Sequence, residues 1–262
     1  MTTTITVTNQ KGGTGKTSTS LFLAYGLADR GYKILLVDLD AQADASYSTN
    51  LKYDPKKTTF ELLLQDIDIR DAIVHANMPD VKGSLDLVPA SPNLATLDVQ
   101  IARRQLIDTQ YNLNDALKDV KENYDFIILD TPPSLSIAVL NALTASDYVI
   151  VPTQADIYSL KGLGQLARTI SSIKRRSNPD LKVAGILIGR YDTRTNFTKA
   201  ITNMFNETSQ RLQTKVFKNK IREAIAIKEA QGERTNIFTY APKAKVTNDI
   251  NKFINELLGG LL

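Results

Sequence analysis

Apolar residues fall along this chain in short, nearly continuous runs, separated by longer stretches in which they recur every three or four positions. The runs at residues 5–8, 34–37, 85–88, 126–129, 148–151 and 183–188 have the length of strands. Four of them are apolar almost throughout, as strands buried on both faces are. Helical periodicity falls at residues 18–30, 60–65, 113–121, 137–144, 160–176, 199–212 and 246–258. Strands alternating with helices predict an α/β fold: one mostly parallel, doubly wound sheet with helices on both faces. Gly31 stops the first helix in the usual C-terminal role of glycine. No repeat, low-complexity tract or linker divides residues 1–262, which read as a single domain without an N-terminal helix-turn-helix domain ahead of it.

Between the first strand and the first helix stands Lys11-Gly12-Gly13-Thr14-Gly15-Lys16-Thr17. A glycine-rich segment in that position is a phosphate-binding loop in its required context. The glycines let the backbone form a nest of N–H donors, Lys16 can reach the β/γ oxygens, and the Thr17 hydroxyl can ligate a metal ion. The chain is therefore expected to bind a nucleoside triphosphate with Mg²⁺ through residues 11–17 and Ser18, the next residue of the helix. The standard spacing asks for glycine at position 10, where this chain has Gln10, and it leaves a second lysine, Lys11, at the loop entrance. Two lysines on one nucleotide's phosphates from the same side would repel. A Lys11 that reaches a second subunit's nucleotide avoids this and delivers charge in trans, as an arginine finger does. By residue type alone, a solvated loop lysine is the plainer reading.

Ligands of an open parallel sheet bind at the carboxyl ends of its strands. Asp130 closes the run 126–129 and Asp38 closes the run 34–37. The first is the position of a carboxylate that holds Mg²⁺ directly or through water, and a turn-capping aspartate is the alternative. Arg190 follows the run 183–188, where a strand end comes near the base.

The loop at 11–17, then Val37-Asp38-Leu39-Asp40-Ala41-Gln42, then Ile128-Leu129-Asp130-Thr131-Pro132-Pro133, resemble the three signature loops of the deviant-Walker-A ATPases. Residues 141–147, 159–163 and 229–231 extend the resemblance to the ParA/Soj partition ATPases over nearly the whole chain. That resemblance implies slow, partner-stimulated hydrolysis of ATP to ADP and phosphate, with Lys11, Lys16 and Asp40 catalytic. Asp40 would position the attacking water, and Asp38 would lie in the metal's outer shell beside Thr17 and Asp130. It implies an ATP-dependent homodimer that binds DNA without sequence preference, and a ParB-like centromere-binding protein that triggers release. Arg194 and Arg222 fall where such proteins place DNA-contacting arginines, and Lys218 and Lys220 could add phosphate contacts, against the alternative of a solvated surface. The run 174–176 is weaker, since cations in a last helical turn are expected from the macrodipole alone. The chain departs from the family after Asp40: Ala41, Ala43 and Asp44 replace the usual proline, glycine and asparagine. Asp40 is retained, so hydrolysis is expected, and the rate and the switch are what the change puts in question.

Composition narrows the branch. With no cysteine, the chain can hold no disulfide, thiolate-ligated zinc or iron–sulfur cluster, which removes the cluster-carrying branches. No apolar run approaches the ~20 residues of a membrane span and no signal peptide precedes the first strand, so a cytoplasmic protein is expected, and the ParA/Soj resemblance implies that it is nucleoid-associated. The net charge of +4 favours an anionic partner. A membrane-associated positioning ATPase of the MinD type is one alternative, because residues 250–258 are amphipathic. Their polar face sets Lys252 against Asp249 and Glu256, unlike the basic face of membrane-surface helices. A metabolic ligase or kinase would need its own acid–base residues, and the single histidine, His75, sits in an ordinary amphipathic stretch. A weakly hydrolysing adaptor is the third alternative.

Overall fold

The computed structural model describes residues 2–76, 81–191, 205, 209–210 and 213–261. Its strands are β1 (Thr3–Val7), β2 (Lys33–Asp38), β3 (Val74–His75), β4 (Ser84–Val88), β5 (Phe126–Asp130), β6 (Tyr148–Gln154) and β7 (Lys182–Gly189). They form one sheet in the order β3-β4-β2-β5-β1-β6-β7. Every neighbouring pair is parallel except β3 and β4. The described helices are α1 (Lys16–Asp29), α2 (Asp44–Ser48), α3 (Thr59–Leu63), α4 (Ile69–Ala72), α5 (Leu97–Arg104), α6 (Asn112–Lys118), α7 (Ile137–Thr144), α8 (Ile157–Arg176), α9 (Ile225–Gly232), α10 (Ile237–Tyr240) and α11 (Lys245–Leu261).

The apolar runs are continuous because both faces of the sheet are covered. Along β2, Ile34 and Leu36 pack with α1 and α11, whereas Leu35 and Val37 pack with α3 and α6 on the other face. On α11, Val246, Ile250, Phe253, Ile254 and Leu257 recur at helical spacing and are all buried. Phe253 meets Phe217 edge to face, with ring centroids 5.0 Å apart. The amphipathic stripe at the C-terminus is thus a core surface. Among the described residues no helix is long and apolar enough to cross a membrane.

Register sets up the site. Val7 pairs with Asp130, and Asp38 pairs with the same aspartate from the other side, so β1, β5 and β2 end at one level. Two details differ from expectation. The first strand starts at Thr3 and ends at Val7. The stretch around residues 69–76 is not one amphipathic element: Asp68 caps α4, accepting from the Arg70 N–H at 2.8 Å, and the chain then pairs β3 with the sheet edge. His75 there contacts Asp86 at 2.9 Å, while the other Asp86 oxygen accepts from the Tyr124 hydroxyl at 2.8 Å, a structural use of the histidine. The helix expected at residues 199–212 lies almost wholly outside the described residues.

Candidate nucleotide-binding site

The loop between β1 and α1 is held open by its neighbours. Asn9 donates from Nδ2 to the Pro152 carbonyl at 2.8 Å and accepts the Lys11 N–H at 3.1 Å, which ties the loop entrance to β6. Gln154, at the end of β6, donates to the Gly13 carbonyl at 2.6 Å. Gly13 and Gly15 have φ of +73° and +89°, which glycine adopts without cost. A Cβ at Gly12, Gly13 or Gly15 would meet nothing within 4 Å, so the concave side of the loop is free for phosphate oxygens. No side chain caps α1 and no acid lies in its first turn, which leaves its N–H groups and the dipole for an anion. Lys16 is 6 % exposed, with Nζ 3.3 Å from the Lys11 carbonyl. Burial lowers its pKa, and the nearby Asp130 and Asp40 oppose that shift. A phosphate at this place would favour the charged lysine further.

Two carboxylates meet beside it. Asp38 accepts from the Ser46 N–H and hydroxyl, at 2.8 and 2.7 Å, through one oxygen and from the Asp40 N–H at 3.1 Å through the other. Asp130 accepts from the Ser20 hydroxyl at 2.8 Å, and its second oxygen is buried with no hydrogen-bond partner. Burial, followed by their mutual repulsion in the case of Asp130, pushes both acids above the ordinary carboxylate range. A divalent cation would remove that cost. Among the described residues no three His, Cys, Asp or Glu side chains form a metal cage. Magnesium in phosphate loops does not need one, since it takes a single carboxylate and a hydroxyl along with phosphate and water. The orphaned oxygen of Asp130 and the Thr17 hydroxyl fit that donor set. Asp38, expected in the metal's outer shell, organises the loop that carries Asp40.

The Lys11 side chain is about a third exposed and is engaged by the start of α8. Its Nζ is 2.9 and 2.8 Å from the two oxygens of Asp156 and 3.3 Å from the Ser159 hydroxyl. Asp156 caps α8 through the Ser159 N–H, at 2.9 Å. Burial alone would raise the Asp156 pKa, but the bonds from Lys11 and Ser159 outweigh it and hold the carboxyl below its usual range. In this state, therefore, Lys11 is held within its own subunit. The pattern Asp156-x-x-Ser159 signals the cap on α8 but not its contact with Lys11. Gln231 of α9, which donates to the Ser18 hydroxyl at 3.1 Å, lines the cleft beside the loop together with Arg190, Phe22 and Ile221.

Residues 2–183 match the AAA_31 family, described as an AAA domain. The sporulation initiation inhibitor protein Soj of Bacillus subtilis is 36% identical over 242 residues, 92% of each chain. The chromosome partitioning protein ParA of Myxococcus xanthus is also 36% identical, over 92% of this chain and 82% of its own. This chain belongs to the ParA/Soj family of P-loop ATPases. Among solved structures, cobyrinic acid a,c-diamide synthase from Mycobacterium smegmatis with bound ATP analog and magnesium superposes with a TM-score of 0.82, at 31% identity, over 98% of this chain and 94% of that one.

Set beside the ParA/Soj pattern, the loop after Asp40 has a local explanation. Ala43, in the place of the family's glycine, has φ +55° and ψ 29°, the left-handed conformation that glycine adopts freely and alanine does not. Asp44 then lies in the first turn of α2, where a carboxylate complements the helix N-terminus. Asp40 faces the cleft near Lys16 and accepts the Gln42 N–H at 3.1 Å.

The expected DNA-binding set fares differently. Arg194 lies outside the described residues. The Arg222 guanidinium is exposed, is bonded to Asp249 of α11 at 2.5 and 2.9 Å, and lines the cleft beside the phosphate loop. Lys218 is exposed, and Lys220 places its ammonium 4.2 Å from the centre of the Tyr191 ring.

Proposed function

We propose that this chain is an ATP-dependent DNA-partition ATPase. ATP with Mg²⁺ would close a homodimer that binds DNA without sequence preference, and hydrolysis stimulated by a centromere-binding partner of the ParB kind would release it. The observation that carries the reading is the two lysines of one phosphate loop in different environments. Lys16 is buried in the nest, whereas Lys11 stands at its entrance in an ion pair with Asp156. Thr17 and Asp130 would hold the Mg²⁺, which supplies neutralisation of phosphate charge. Lys16 binds the phosphates, Asp40 orients water, and Lys11 adds charge to the neighbouring subunit's nucleotide. Arg190 and Ser18 border the base and sugar.

The MinD-type reading is disfavoured by α11, whose apolar stripe is already covered by the sheet. A synthetic enzyme like that of the M. smegmatis structure would need an acceptor to turn over.

Light scattering with Mg²⁺ and ATP tests the assignment. Lys16→Ala should abolish nucleotide binding. Lys11→Ala should bind nucleotide yet fail to dimerise and lose hydrolysis, on the scale of about 10³–10⁵ that trans charges carry in phosphoryl transfer. A Lys11→Ala protein that dimerises and turns over like the parent would sink the trans role.

A further inference from the structure

Four cations that the nucleotide site does not use line one cavity of about 700 Å³ at the opposite end of the sheet. Lys174 and Arg175 come from the last turn of α8, Lys182 opens β7, and Lys215 lies in the segment that pairs with β7 in parallel at Val216. Strand β7 borders both sites: Lys182, Val183 and Ala184 line this cavity, and Leu187 and Gly189 line the nucleotide cleft. At about 3.3 Å per residue, Lys182 is some 17 Å along the strand from Leu187, and the nearest lining residues, Ala184 and Leu187, are some 10 Å apart.

What sets the cluster apart is that four cations from three elements line one concavity. None of the described residues that line it is a carboxylate, and among the described residues none stands within ion-pair distance of any of the four. Some other surface cations are paired, Arg70 with Asp119, Arg104 with Asp66 and Lys118 with Asp115. The nearest acid to act on the cluster is Glu256, which feels Lys215 but is engaged by the N–H groups of Lys218 and Asn219. The α8 macrodipole accounts for Lys174 and Arg175 but not for Lys182 and Lys215, which belong to other elements. Four like charges held around one concavity repel one another until an anion arrives.

We infer that this cavity and its rim are a phosphate-backbone contact surface for duplex DNA, an assignment that rests on the DNA-binding reading above. The cations are mainly long lysines around a wide opening, with no enclosed nest of N–H groups. That suits phosphates spaced along a backbone better than one small anion. The surface is remote from the nucleotide cleft, so ATP leaves it unaltered and strengthens binding by joining two copies in a dimer. Four contacts per chain give a log–log salt slope of about −3.6 without nucleotide, and the dimer approaches about twice that.

The test is fluorescence anisotropy on two unrelated duplexes across a salt series, with and without Mg²⁺ and ATP. The Lys182→Gln/Lys215→Gln protein should keep its melting temperature and its ATP affinity. It should bind both duplexes roughly 50-fold more weakly at about 0.1 M salt, with a slope shallower by about 2 per chain. Lys182→Arg/Lys215→Arg should restore both. A parent that binds DNA while the glutamine variant keeps its affinity and slope overturns this surface alone. A parent that ignores DNA in ATP overturns the DNA-binding reading and this surface with it.

Discussion

Two charged side chains beside the phosphate nest, Lys11 and Asp130, are both in conditions that ligand binding would change. Lys11 is bound to Asp156 and Ser159, and any role for it on a second subunit requires that pair to open. Asp156→Asn keeps the cap on α8 and removes the charge that holds the lysine. Light scattering should then find dimers at lower ATP concentration than the parent needs, and an unchanged midpoint would mean that the pair does not restrain Lys11. Because the Asp156 pKa is held down, the pair is complete above the unfolded carboxyl value of about 3.9 and is lost as pH falls through the still lower folded value. It is therefore closed throughout the neutral range. Asp130 has the opposite sign. Its folded pKa is raised, so its ionisation lowers stability as pH rises from the unfolded value toward the folded one. Asp130→Asn should raise the melting temperature of the nucleotide-free protein at pH 7 while cancelling the stabilisation that Mg²⁺ adds to ATP. A variant that melts below the parent, or still responds to Mg²⁺, would place the metal elsewhere. The positions of Lys16, Thr17, Asp38 and Asp130 were legible because motif spacing and strand ends specify them. The Lys11–Asp156 contact was not, since it joins residues 145 positions apart through a helix cap that only the fold brings near.

At the scale of elements, legibility followed length and burial. The six apolar runs all became strands because both faces of the sheet are covered, and the long helices α1, α8 and α11 start within three residues of where periodicity put them. The elements missed were the short ones. β3 has two residues at a sheet edge, α2 and α4 have five and four, and α5 buries only Leu97, so none offers a full hydrophobic period. Ala43 misleads in another way, since nothing in an alanine announces a left-handed backbone. The docking of α11 carries its own consequence. Phe253→Ala should cost about 3–5 kcal/mol in denaturant unfolding, as removal of a buried phenylalanine does. The parent should stay with the soluble fraction in liposome flotation with ATP. A loss under 1 kcal/mol, or flotation, would mean that this face is not core.

For the whole molecule, the account joins two functions at opposite ends of one sheet, nucleotide at the strands' carboxyl ends and DNA phosphates at the basic rim below. In the proposed dimer they would be coupled by the number of chains, since contacts in a dimer add in the exponent of the salt dependence. The charge of the chain is modest at +4, so its distribution matters more than its total. The most direct test traps the assembly. Asp40→Ala should bind Mg²⁺ and ATP without hydrolysing it and so hold the dimer closed. DNA mobility shifts with this variant, on two unrelated duplexes with and without ATP, should find equal affinity for both, weak without nucleotide and far tighter with it. Binding that ATP does not strengthen, or that favours one sequence over the other, would contradict the account.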